Sequence, residues 1–142
     1  VEEKFLKKDL PDFKVGDTFA FLFELANAGV TYTIYFVGAA HSAPHGFPDD
    51  SLHALDLAIL CVPTWKYAQG YPGAYIRRLR PKYILASHFD DFFQVNDGAR
   101  KVVPMADLER FLREAQRGAT HPEFKQILVP DVGATLHVLP RP

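Results

Sequence analysis

A chain of 142 residues with 48% apolar side chains can build one ordinary domain with a real core, which excludes an intrinsically disordered segment. Its net charge of −1 supplies no overall field for capturing nucleic acid or an anionic membrane, so neither is an expected partner. The single cysteine, Cys61, excludes an internal disulfide and any cysteine-built zinc cluster, and no apolar run approaches the ~20 residues that span a bilayer.

The opening residues Val1-Glu2-Glu3-Lys4 do not form a signal peptide, and the reading is a soluble protein. Residues 1–14 are charged, with Phe5, Leu6, Leu10 and Phe13 as anchors and Pro11 as an interruption, and read as an arm leading into the fold. Val15-Gly16-Asp17 reads as a turn and residues 18–25 as a strand of β-formers. Asn27-Ala28-Gly29 supplies turn chemistry, and residues 30–37 alternate with period two, so the pair is an antiparallel hairpin. Gly38 ends it, and residues 39–50 form a loop rich in His, Pro and Gly.

Residues 52–55 read as one helical turn and 57–62 as a buried strand in which Cys61 is a small core residue. Gly70-Tyr71-Pro72-Gly73 leads into a helix through about Leu79, and residues 83–86 form the next strand. This order makes a right-handed βαβ unit if the strands are parallel neighbours. Arg77, Arg78, Arg80 and Lys82 read as a solvated helix face. After a polar loop over 94–101, the apolar spacing of Met105, Leu108, Phe111, Leu112 and Ala115 predicts an amphipathic helix capped by Gly118. Asp107 falls in its first turn and Arg113 and Arg117 in its last. Strands over 126–129 and 135–139, joined by a turn at Asp131-Val132-Gly133, close the chain. The class is α/β.

Candidate chemistry gathers where Tyr83-Ile84-Leu85-Ala86-Ser87 runs into His88-Phe89-Asp90-Asp91-Phe92-Phe93. The C-terminal end of a buried strand holds a side chain rigidly while the loop beyond it gives access. An imidazole beside a carboxylate suits a metal site, with both as ligands or the carboxylate orienting the ring. The competing reading has Asp90 and Asp91 capping loop amides while Phe89, Phe92 and Phe93 pack the core. His41 and His45 lie in the loop after the hairpin, and Pro44 argues against a helix that would pair them; His45 reads as surface and His41 as evenly balanced. His53, His121 and His137 read as structural or exposed. Ser42 and Ser87 lack a Gly-x-Ser-x-Gly elbow, and the scattered glycines form no nucleotide-binding pattern.

These elements, with Ile34-Tyr35-Phe36-Val37-Gly38, the strand 57–62 and Leu79-Arg80-Pro81-Lys82-Tyr83-Ile84-Leu85-Ala86-Ser87-His88-Phe89-Asp90, resemble the C-terminal half of the metallo-β-lactamase-fold hydrolases. The resemblance spans roughly residues 16–139 and is greatest to the ascorbate-phosphate-lactonase branch. It implies half of a four-layer αββα sandwich, with a mixed sheet and helices on one face. It implies His88 as a metal ligand, Asp90 as a ligand or an orienting group, and His41 as a substrate or proton-transfer residue. The ions implied are zinc, manganese or iron, one or two of them, activating water against an ester, lactone or phosphoester of a small molecule. Two positions depart from the pattern. Ala39 follows Gly38 where many members carry a bridging aspartate, and the His-x-His-x-Asp-His signature of the N-terminal half is absent from these residues. That half is expected upstream or in another chain. The alternative is a catalytically inactive half-fold module that pairs with a partner or with a second copy.

Overall fold

The computed structural model describes residues 19–43, 47, 51–91, 93–94, 101–131 and 133–138. The arm at 1–14, the turn at 15–17, His45, Phe92 and most of the polar loop over 94–101 lie outside the described residues. The described residues form a five-stranded mixed sheet with two α-helices, the α/β class expected.

Strands β1 (Ala20–Asn27) and β2 (Val30–Val37) pair antiparallel, with Phe23 opposite Ile34 and Asn27 opposite Val30. Ala28 and Gly29 between them take φ of 50° and 79°, the left-handed backbone that matches a two-residue turn to the twist of the strands. Next come β3 (Leu57–Cys61), β4 (Tyr83–Ser87) and β5 (Gln126–Leu128), each parallel to its predecessor, so the spatial order is β1-β2-β3-β4-β5. Helix α1 (Gly73–Leu79) joins β3 to β4, and α2 (Leu108–Gly118) joins β4 to β5.

Strand alternation sends Tyr35, Val37, Ala58, Leu60, Ile84 and Ala86 to one face. There they share a single buried cluster with Tyr75, Ile76 and Leu79 of α1 and with Phe111 and Ala115 of α2, so both helices cover that face. The helices touch at Gly118, where a Cβ would lie 3.0 Å from the Gly73 Cα. The opposite face carries a cross-strand row of Phe21, Phe36, Ile59, Leu85 and Leu128, with Phe23 and Ile34 beside it. Phe21 and Phe23 stay 48% and 47% exposed. Parallel strands are ordinarily covered on both faces, and among the described residues β1 to β5 are covered by helix on one.

A polar clasp fixes the N-terminal ends of the parallel strands. Lys82 Nζ donates to Asp56 Oδ1 at 2.8 Å, and Thr33 N donates to Asp56 Oδ2 at 2.9 Å. Burial pushes the Asp56 carboxyl up, but the Lys82 ammonium and the two Thr33 donors outweigh it and hold the pKa below the ordinary value. Lys82 is therefore an ion-paired residue before β4, not part of a solvated helix face.

Several boundaries differ from the sequence reading. Residues 52–55 make no helical turn. Leu55 is instead fully buried, its N–H bonded to the Leu79 carbonyl and its own carbonyl to Lys82 N. Helix α2 starts and ends later than expected: Asp107 is its N-cap, with φ of 48°, and Gly118 is its last residue, with Ala119 the C-cap. No strand forms over 133–138, because residues 133–137 are exposed and present no apolar face to bury. The turn before it does form, with Ala134 N bonded to the Asp131 carbonyl.

Candidate functional site

Because β2, β3 and β4 run parallel, their C-terminal ends meet at one edge of the sheet. The chain leaving β2 brings the Ala40 backbone into a hydrogen bond with the Cys61 thiol at the end of β3. One strand further on, His88 turns the chain out of β4 with φ of 58°, a left-handed conformation that costs a histidine free energy and is held by its surroundings. Its Nδ1 lies 3.7 Å from Cys61 Sγ. Burial pushes the Cys61 thiol up to about 11 against the opposing pull of the Ala40 hydrogen bond, so at neutral pH the group is a thiol and not a thiolate nucleophile. Beneath it, the Tyr71 hydroxyl donates to the Cys61 carbonyl at 2.8 Å, and burial raises the Tyr71 pKa well above the ordinary phenol value.

His88 and Asp90 line one cleft of about 240 Å³ together with Leu85, Ser87, Pro130 and Asp131. The sequence reading places His88 and Asp90 together, and in the fold they share this wall. It treats Asp131 only as a turn residue, although a carboxylate just beyond the end of β5 occupies the same level of the sheet as His88 beyond β4. Cys61, read only as core, is buried as expected but also faces the His88 ring.

The competing structural roles are divided among the neighbours. Asp91 caps the loop, its Oδ1 accepting from Phe93 N at 3.2 Å, while Asp91 N donates to the Lys101 carbonyl. Asp90 forms an isolated antiparallel bridge with Val102 and stays exposed. Phe89 is buried in the core, but Phe93 is 87% exposed and anchors nothing there, a correction to the reading that groups it with Phe89. His41 is half-buried one residue beyond Ala40. The loop holding it is fastened across the crest, since Gln69 N donates to Ser42 Oγ and Ala43 N donates to the Gln69 carbonyl, both at 2.9 Å. Ser42 is thus a clip for this loop. His53 and His137 are exposed, and His121 is structural, with Nε2 3.0 Å from the Pro81 carbonyl.

Among the described residues no group of three or more His, Cys, Asp or Glu side chains is arranged to hold a metal ion. Taken alone, His88 and Asp90 therefore do not fit a zinc, manganese or iron centre, which needs at least three protein donors to fix it. Among the same residues no helix is long and apolar enough to cross a membrane. Comparison of the chain with protein-family models, curated proteins and solved structures returns no match. The fold and site define an α/β layer with a strand-end cleft.

Proposed function

We propose that this chain forms the C-terminal αβ half of a hydrolase of the metallo-β-lactamase fold, acting on an ester, lactone or phosphoester of a small molecule. The observation that carries the reading is the placement of His88. It leaves the C-terminal end of a parallel strand in a left-handed turn and lines a cleft with Asp90 and Asp131, beside a sheet face that no helix covers among the described residues. A second sheet packed on the row of Phe21, Phe36, Ile59 and Leu85 lies at the usual spacing of ~10 Å, and its own strand ends then face the same cleft. In this arrangement the His88 ring meets the substrate side, Cys61 and Tyr71 hold the ring and the strand end in place, and His41 stands in the loop that leaves the C-terminal end of β2. His88 and Asp90 would hold a metal only together with donors from the half that completes the sheet, since the described residues by themselves do not assemble a donor set.

The test is elemental analysis of the protein purified with whatever polypeptide completes its sheet. Retention of zinc, manganese or iron, lost in His88→Ala with the fold intact, supports the hydrolase reading. Failure to retain or rebind any of these ions opposes it. A second reading, an inactive half-fold module that pairs with a partner or a second copy, is favoured by that same lack of a three-donor group. It expects tight association through the apolar face with neither metal nor turnover.

A further inference from the structure

On the helix side a cleft of about 380 Å³ lies where α1 and α2 meet, and three guanidiniums line it. Arg77 comes from α1, and Arg110 and Arg117 from α2; Trp65 and Tyr71 form its wall, and Glu114 is its one carboxylate. We propose that this cleft binds a phosphorylated small molecule through its multiply charged phosphate group. The proposal is independent of the hydrolase reading.

Four observations carry it. The three arginines and single glutamate leave a surplus of two positive charges around a concave space, an arrangement that focuses field on an anion. The volume falls within the ~300–1,000 Å³ of small-ligand sites. Two of the arginines are held in position: Arg110 lies over the Trp65 ring with Cζ 5.6 Å from its centroid, and Arg117 Nη1 is 2.7 Å from Glu114 Oε1. Trp65 is itself pinned, its Nε1 donating to the Ala106 carbonyl at 2.8 Å. Finally, Arg77 folds back over Gly73, where a Cβ would stand 3.2 Å from Nη1, and among the described residues no carboxylate pairs with it. A guanidinium fork with its donors uncommitted is suited to two parallel hydrogen bonds to phosphate oxygens, which a monovalent anion does not reproduce.

All three arginines are exposed, so their replacement removes no buried side chain, though Arg110→Ala uncovers one face of Trp65. Calorimetric titration of the intact protein with inorganic pyrophosphate tests the site. The expected result is saturable binding that weakens about tenfold in Arg77→Ala and about a hundredfold in the Arg77→Ala, Arg110→Ala double variant, with the circular dichroism spectrum unchanged. Arg77→Lys keeps the charge but loses the fork, and is expected to recover only part of the affinity. Glu114→Gln removes the competing carboxylate and is expected to tighten binding several-fold. Pyrophosphate binding that is absent in the millimolar range, or equal in wild type and the double variant, overturns the proposal. So does binding of duplex DNA that outcompetes pyrophosphate on the same arginines.

Discussion

Cys61 Sγ and His88 Nδ1 lie 3.7 Å apart, at the ends of two adjacent parallel strands that pair Cys61 with Ser87 in register. The strand geometry sets this contact, since a residue one step past Ser87 must cross the end of β3 if the chain turns there, and the φ of 58° at His88 makes that turn. The cysteine is buried at 3% exposure and its thiol is raised to about 11. Native protein at neutral pH is therefore expected to resist iodoacetamide, with labelling accelerating about a hundredfold or more in denaturant as the thiol regains its ordinary pKa of about 8.5. Mass spectrometry of labelled protein reads both rates.

Tyr71 supports that contact from below. Tyr71→Phe keeps the ring packing on Tyr75, at a centroid distance of 5.1 Å, and on Phe111, but leaves the buried Cys61 carbonyl without its donor. A loss of about 1–3 kcal/mol in urea unfolding is expected, the cost of one unsatisfied buried acceptor.

The clasp at the other end of the sheet gives a pH signature. Asp56 has a folded pKa below its unfolded value of about 3.9. Its stabilisation is therefore complete above that value and is lost as pH falls through the folded pKa. Asp56→Asn is expected to cost about 1 kcal/mol near neutrality, because it removes the charged acceptor of Thr33 N and Lys82 Nζ while solvent screens the partly exposed ammonium. The gap between wild type and variant should close in acid, below about pH 4, when stability is measured by denaturant titration across pH.

Gly118 is required by contact and not by backbone angle. A Cβ there would meet the Gly73 Cα at 3.0 Å and its carbonyl oxygen at 3.1 Å. Gly118→Ala must push α1 from α2 and is expected to lose about 1–3 kcal/mol despite alanine's better helix propensity. Thermal unfolding followed by circular dichroism checks the sign.

Among the described residues no helix lies over the face of Phe21 and Phe23, and the proposed pairing would bury it. Phe21 and Phe23 each retain roughly half of an aromatic surface, on the order of 100 Å², which is about 2–3 kcal/mol per ring when covered. Phe21→Asp with Phe23→Asp is expected to leave the unfolding midpoint of the separated chain within a few degrees and to abolish its association with a complementary sheet or a second copy. Sedimentation velocity distinguishes the two states.

The sheet is legible because its strands are apolar or alternating runs punctuated by turns: Asn27-Ala28-Gly29 and the run 57–62 define their elements by local chemistry alone. The start of α2 was misplaced because Met105 has the right spacing for its apolar stripe yet is 71% exposed; the left-handed Asp107 ends the preceding loop first. A strand over 135–139 has β-forming residues but no neighbour to supply a ladder within 133–138, a tertiary fact that local pattern does not contain. His88 and Asp90 line one cleft, and their nearness follows from their place just after a buried strand. Asp131 and the Cys61–His88 contact depend on strand order and register, and the arginine cleft joins residues from two helices some thirty positions apart.

The most direct test of the hydrolase account is turnover by the assembled protein of generic p-nitrophenyl esters, lactones and bis(p-nitrophenyl) phosphate, compared with His88→Ala. The expected result is hydrolysis of at least one class that falls about a hundredfold or more in the variant while its circular dichroism spectrum stays unchanged. Equal turnover in the two proteins, or none in the wild type, would contradict it.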